Sequence, residues 1–129
     1  MKSVPDSILK IKRTNSVEEL AEIYAAADVY INPSVEETMG LTTAEALACG
    51  TPVITYDKTA VPEVADEFCG ITVHSSPEFI KEALEKLPTS QDACLSRAKM
   101  FEKQRRYQDY YGLYCQILNG SKQFESEIL

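Results

Sequence analysis

Two carboxylates, Glu37 and Glu45, stand on either side of Gly40 in the run Glu36-Glu37-Thr38-Met39-Gly40-Leu41-Thr42-Thr43-Ala44-Glu45. An ionised carboxylate only accepts hydrogen bonds, and it suits the paired hydroxyls of a sugar or a ribose. Between the two glutamates the chain reads as the start of a helix. The first backbone N–H groups of a helix lack partners and carry partial positive charge, which suits a phosphate. The carboxylates would repel that phosphate, so their work lies beside it. Helical side chains lean back toward the N-terminus. Glu45, one turn into the helix, can therefore reach a ribose next to phosphates held at Met39 to Thr42. Glu37, on the turn itself, can reach a group beyond them. Acidic residues are common at helix starts, and two solvated carboxylates without a ligand are the competing reading.

The elements that position these residues are legible on both sides. Asp28 to Ser34 is an apolar strand ending at Pro33. The helix starts near Gly40, draws on Ala44, Ala46 and Ala48, and stops at Gly50 with Pro52 just beyond. Val53 to Tyr56 is the next strand. Strand, polar turn, helix and strand make one βαβ unit, whose crossover is right-handed by rule.

Glu37 to Glu45 resembles the E-x7-E motif of retaining glycosyltransferases with the GT-B fold, most closely their large family 4. Three further blocks follow in that family's order: Ala25 to Ser34, Glu45 to Ile54, and Val61-Pro62-Glu63-Val64 with Cys69-Gly70-Ile71-Thr72-Val73. The resemblance covers roughly residues 8 to 118. It implies that Glu37 contacts the donor sugar as the catalytic carboxylate. It implies that Glu45 holds the ribose, and that Thr38, Met39, Gly40, Leu41 and Thr42 hold the diphosphate through backbone N–H groups. Thr38 stands where the family often has glycine, which bears on turn shape and sugar choice. Thr59 and Ala60 occupy positions where the family has small residues near the donor. Lys10, Ile11, Lys12 and Arg13 fall where it contacts the nucleobase; an ordinary solvated loop is the competing reading there.

The whole chain bounds what this site can serve. Its 129 residues suffice for one domain. A net charge of −7 without a basic run argues against nucleic acid as a partner. No run approaches the ~18 apolar residues of a membrane span, and the N-terminus lacks a signal-peptide core. The cysteines at 49, 69, 94 and 115 have no C-x-x-C spacing, and His74 is the only histidine, so no metal site is expected. The cysteines read as small core residues in a reducing, cytoplasmic setting.

In chain order, Ser7 to Lys12 alternates weakly and predicts a short strand. Ser16-Val17-Glu18-Glu19 predicts a capping box, in which serine caps and glutamate reaches back. Val17, Leu20, Ala21, Tyr24 and Ala27 form the apolar stripe of the helix that follows, and are expected in the core. Gly70 turns the chain into a strand at Ile71 to Val73. Ser76 and Pro77 open a helix ended by Pro88, and another spans about Gln91 to Phe101. The last, from about Arg105, carries Tyr107, Tyr110, Tyr111, Tyr114 and Leu118 on one stripe. Burial against a domain is the expected use of that stripe, with a binding platform as the alternative. Residues 119–129 lack periodicity and are expected to fray.

These elements predict an α/β fold: a partial Rossmann-like domain over residues 1–118, with a mostly parallel sheet of about four strands and helices on its faces. The resemblance makes it the later part of a C-terminal donor-binding domain, without the N-terminal acceptor domain. It implies a nucleoside-diphosphate sugar as substrate, no further cofactor, and a saccharide or lipid-linked acceptor in polysaccharide biosynthesis. Membrane association belongs, on that reading, to the full enzyme. Self-association through unpaired sheet edges and no turnover by the isolated fragment are expected. A GT-B-like sugar-nucleotide epimerase and a non-catalytic nucleotide-binding module are the alternatives.

Overall fold

A computed structural model describes residues 4–128, with side chains through Gly120. Helix α1 spans Val17–Ala26, strand β1 Tyr30–Asn32, helix α2 Leu41–Ala48 and strand β2 Val53–Tyr56. A 3₁₀ turn at Val61–Glu63 leads to strand β3, Gly70–Val73. Helices α3, Pro77–Glu85, and α4, Gln91–Ala98, follow, and a second 3₁₀ turn at Lys99–Phe101 leads into α5, Lys103–Ile128. The fold is α/β, as the pattern predicts.

The sheet runs β1-β2-β3 and is wholly parallel, with Tyr30 opposite Val53 and Val53 opposite Gly70. Central β2 is buried on both faces at Val53, Ile54 and Thr55, as a strand covered on two sides must be. Side chains alternate across a strand. Tyr30, Val53 and Gly70 therefore face one way, with Asn32, Thr55 and Thr72 beyond them at the strands' C-terminal ends. That face carries the core cluster of Ala46, Leu47, Val53, Val64, Cys69 and Cys94, with Tyr24 and Tyr30 packed against it.

Local chemistry sets the helix ends. The Ser16 hydroxyl accepts from the Glu19 N–H at 3.1 Å. Glu19 reaches back one residue further than the predicted box, to the Asn15 N–H at 2.7 Å. Helix α2 ends in a Schellman motif: Gly50 donates to the Leu47 carbonyl and Thr51 to that of Ala46, with Gly50 at φ +80°. Ser90 caps α4 through the Ala93 N–H.

Three expectations are corrected. The described residues form three strands, not four. Ser7 to Lys12 is irregular, with Ile8, Leu9 and Ile11 exposed. A strand exists only through its neighbour, and weak alternation gave this one no buried face to dock. Val17 and Ala27 of the α1 stripe are exposed, Val17 at 78%. Only Leu20, Ala21 and Tyr24 are drawn in, because α1 leans on α2 along the middle of its stripe. The tyrosines of α5 are not buried: Tyr107, Tyr110, Tyr111 and Tyr114 are 59% to 72% exposed. Helix α5 leaves the body through the second 3₁₀ turn. The expected frayed tail, 119–129, falls within the α5 backbone up to Ile128; its side chains from 121 and residue 129 lie outside the described residues.

Candidate functional site

The site forms where β1 ends and α2 begins. After Asn32 the chain passes through Pro33 to Met39 and enters α2 through Gly40, which adopts the left-handed conformation, φ +75° and ψ +51°. A Cβ there would meet the Thr43 hydroxyl at 3.5 Å, the Glu37 carboxylate at 3.6 Å and Val64 at 3.7 Å, all ordinary contacts. The glycine is thus demanded by the backbone angle and not by space. Thr43 and Ala44 already donate to the Gly40 carbonyl. Leu41 and Thr42 precede the first intrahelical bond, so their N–H groups point out of the helix start.

Glu37 is half-buried and held at two points. Its Oε2 accepts from Asn32 Nδ2 at 3.0 Å, and its backbone N–H donates to the Thr59 hydroxyl at 3.1 Å. Thr59 belongs to the loop leaving β2 and takes φ +51°, unusual for a β-branched residue. Asn32, only 3% exposed, donates as well to the Thr43 hydroxyl at 3.0 Å and accepts from the Ser34 N–H at 3.1 Å. One buried amide thus joins the strand end, Glu37 and the first turn of α2.

Glu45 is exposed on the outer side of α2. Its Oε2 accepts from the Tyr24 hydroxyl at 3.1 Å, and Tyr24 packs edge-on against Tyr30 at 5.6 Å between ring centres. Burial, and next the bond to Glu45, raise the Tyr24 phenol well above its ordinary pKa and keep it a donor. The Tyr30 hydroxyl donates to that of Thr42 at 2.8 Å. Beside Glu45, a groove of about 560 Å³ runs between α2 and α4, lined among others by Met39, Leu41, Ala44, Leu95 and Phe101. Arg97 of α4 donates to the carbonyls of Glu63 and Val64, which fixes the turn that carries Val64 toward Gly40.

The structure places Glu37, Gly40, Leu41 and Thr42 at the start of α2, with Thr38 and Met39 exposed on the turn between, and Glu45 midway along the helix with its carboxylate on Tyr24. Lys10, Ile11, Lys12 and Arg13 are exposed on the irregular N-terminal segment. Among the described residues none of the four is hydrogen-bonded to the turn. Asn32 and Tyr24 were not singled out from the sequence as site residues. The available signal for Asn32 was a polar residue closing an otherwise apolar strand. Burial pushes the Cys69 thiol up to about 12 and raises those of Cys94 and Cys49, the last also through Glu45. Such thiols are poor nucleophiles at neutral pH. Cys69 and Cys94 are buried as the core reading expects, whereas Cys49 and Cys115 are only half-buried, Cys115 on α5. His74 bonds Asp57 at 2.6 Å across the ends of β3 and β2. Among the described residues no cluster of histidine, cysteine or carboxylate could hold a metal, and no helix is long and apolar enough to cross a membrane.

A family model described as glycosyl transferases group 1 matches residues 4–89, about two thirds of the chain, and includes both glutamates. The chain belongs to that family. It is 39% identical over 84 residues to the D-inositol 3-phosphate glycosyltransferase of Mycobacteroides abscessus, covering 63% of this chain and 19% of that protein. It is 43% identical over 60 residues to the alpha-maltose-1-phosphate synthase of Mycobacterium tuberculosis, covering 46% and 16%. Against the D-inositol 3-phosphate glycosyltransferase of Corynebacterium aurimucosum it is 44% identical over 72 residues, covering 54% and 17%. The chain thus spans less than a fifth of the length of these curated relatives.

Proposed function

We propose that this chain is the donor-binding portion of a retaining glycosyltransferase of the GT-B type, taking a nucleoside-diphosphate sugar and serving a saccharide or lipid-linked acceptor bound by another domain. The observation that carries the reading is the junction of Glu37, through Asn32 and Thr43, with the open start of α2 in the family-matched segment. The N–H groups of Leu41 and Thr42 face the diphosphate, with the Thr38 to Gly40 turn beside it. Electrostatic stabilisation of a leaving diphosphate by such preorganised donors supplies much of the rate in reactions of this kind. Glu45 accepts from the ribose hydroxyls and Glu37 from those of the sugar. Lys10 to Arg13 would meet the base only after the N-terminal segment closes on the site. Transfer needs an acceptor in near-attack geometry, so the 129-residue chain alone binds donor without turning it over.

The experiment is an amide-resolved NMR titration of the chain with UDP and UDP-glucose, and with GDP and GDP-mannose. Shifts should centre on Met39 to Thr42. A hydrogen bond to a charged group contributes about 1.5–3 kcal/mol, or roughly ten- to a hundredfold in affinity. Glu45→Gln should weaken diphosphate and sugar nucleotide alike by that factor. Glu37→Gln should weaken only the sugar nucleotide. Two merely solvated carboxylates would give effects under ~1 kcal/mol for both variants, screened by salt. That result removes the assignment.

A further inference from the structure

We infer that Asn32 is a positioning residue for the sugar-recognising carboxylate: its buried amide orients Glu37 and so sets discrimination between a nucleotide sugar and the bare diphosphate. The inference rests on the donor-binding reading of Glu37. Asn32 is 3% exposed, on the sheet face that carries the core. An apolar residue there would pack without the cost of desolvating an amide, so filling the strand gives no reason for asparagine. Its polar atoms are all used. Nδ2 donates to Glu37 Oε2 and to Thr43 Oγ1, each at 3.0 Å, and Oδ1 accepts from the Ser34 N–H at 3.1 Å. Only a group with two N–H donors can bridge a carboxylate and a hydroxyl in this way while accepting a backbone bond. The bond occupies Glu37 Oε2. Among the described residues Oε1 has no hydrogen-bond partner and is left for a sugar hydroxyl. Thr59, from the loop after β2, holds the Glu37 backbone at 3.1 Å, so both the main chain and the side chain of this residue are fixed from outside its own turn.

A double-mutant cycle on the 129-residue chain tests the role. Asn32→Asp keeps the size and the acceptor for Ser34 but sets a second carboxylate against Glu37. Affinities for UDP and UDP-glucose, and for GDP and GDP-mannose, are read by NMR titration in the wild-type and Glu37→Gln backgrounds. In the wild-type background Asn32→Asp should weaken the sugar nucleotide about ten- to a hundredfold and the diphosphate less than about twofold. In the Glu37→Gln background the same substitution should change sugar-nucleotide affinity less than about twofold, because the group it positions is already lost. Asn32→Leu, which removes the donors without adding charge, replaces Asn32→Asp in the cycle if the aspartate variant does not fold. Equal losses in both backgrounds, or a loss on the diphosphate as large as on the sugar nucleotide, overturn the role of Asn32 while leaving the donor site in place. A wild-type chain that shows no shift at Met39 to Thr42 with any of the four nucleotides overturns the donor reading and this inference together.

Discussion

Gly40 offers the sharpest separation of backbone from side-chain effects. Its φ of +75° costs an L-residue about 1–2 kcal/mol, while the space around its missing Cβ is free of close contacts at 3.5 Å or more. Gly40→Ala should therefore lower stability by about 1–2 kcal/mol. With a slope of roughly 1–3 kcal/mol per molar urea, the midpoint falls by about 0.3–2 M. Gly40→Asn should lose less, since asparagine tolerates the left-handed region. D-alanine, introduced by semisynthesis, adds the same methyl with the opposite chirality and should lose nothing. The assay is urea unfolding followed by circular dichroism for all four chains. If L-alanine and D-alanine prove equally destabilising, the methyl and not the angle is at fault, and the argument from φ fails. If L-alanine matches glycine, the turn does not hold the left-handed conformation. The functional counterpart follows from position. A chain that escapes the strain by rotating φ must swing Leu41 and Thr42 away from Glu37, so Gly40→Ala should also weaken nucleotide binding where Gly40→Asn does not.

Two further outcomes can be read from stability alone. The Tyr24 pKa is raised above 10.0 in the fold, so the native state holds this proton more tightly than the unfolded chain. Its contribution is complete below pH 10 and is lost as pH rises beyond it. Tyr24→Phe should flatten the fall in unfolding free energy between pH 10 and 11, by a fraction of the ~1.4 kcal/mol per pH unit of one whole proton. Parallel wild-type and variant slopes would refute the linkage. Alanine should act with opposite sign at two other glycines. At Gly70 a Cβ would lie 2.8 Å from the Val53 carbonyl in the neighbouring strand, so a loss of about 1–3 kcal/mol is expected. At Gly112, inside α5 with nothing within 4 Å, a gain of about 0.5–1 kcal/mol is expected. Thermal melts of the two variants check both signs.

What the sequence made legible is what local chemistry decides. Gly50-Thr51-Pro52 encodes the Schellman end of α2, and the uninterrupted Val53-Ile54-Thr55 run encodes a strand covered on both faces. The βαβ unit and the place of both glutamates followed from these. Features decided by a distant neighbour were not legible. Leu9 and Ile11 alternate with Lys10 and Lys12 like a strand, but alternation does not supply the partner that a ladder needs. The tyrosines of α5 share a stripe, yet periodicity identifies an apolar side and not what covers it. Thr59 is β-branched, and no local rule places it at φ +51°. Asn32 closes an apolar strand, and its bonds to Glu37 and Thr43 span five and eleven residues.

The two glutamates also differ in a way that spacing cannot express, and the difference bears on their roles. Glu37 is half-buried and fixed through both its carboxylate and its backbone, by Asn32 at the end of β1 and Thr59 in the loop after β2. Glu45 is exposed and makes one side-chain bond, to a tyrosine hydroxyl. A group that acts at a reacting centre gains from being held before the ligand arrives, because its orientation then costs nothing at the moment of reaction. A group that recognises a ribose needs only to be within reach, and Glu45 can exchange Tyr24 for a ribose hydroxyl at little net cost, since one neutral donor replaces another. On the donor-binding reading proposed above, the fixed carboxylate suits the sugar and the exposed one the ribose. Tyr24→Phe offers a direct measure. It removes the competing donor from Glu45 without touching Glu37, so diphosphate and sugar-nucleotide affinities should rise together, by less than about tenfold. A change confined to the sugar nucleotide would place Glu45 at the sugar and reverse the two roles.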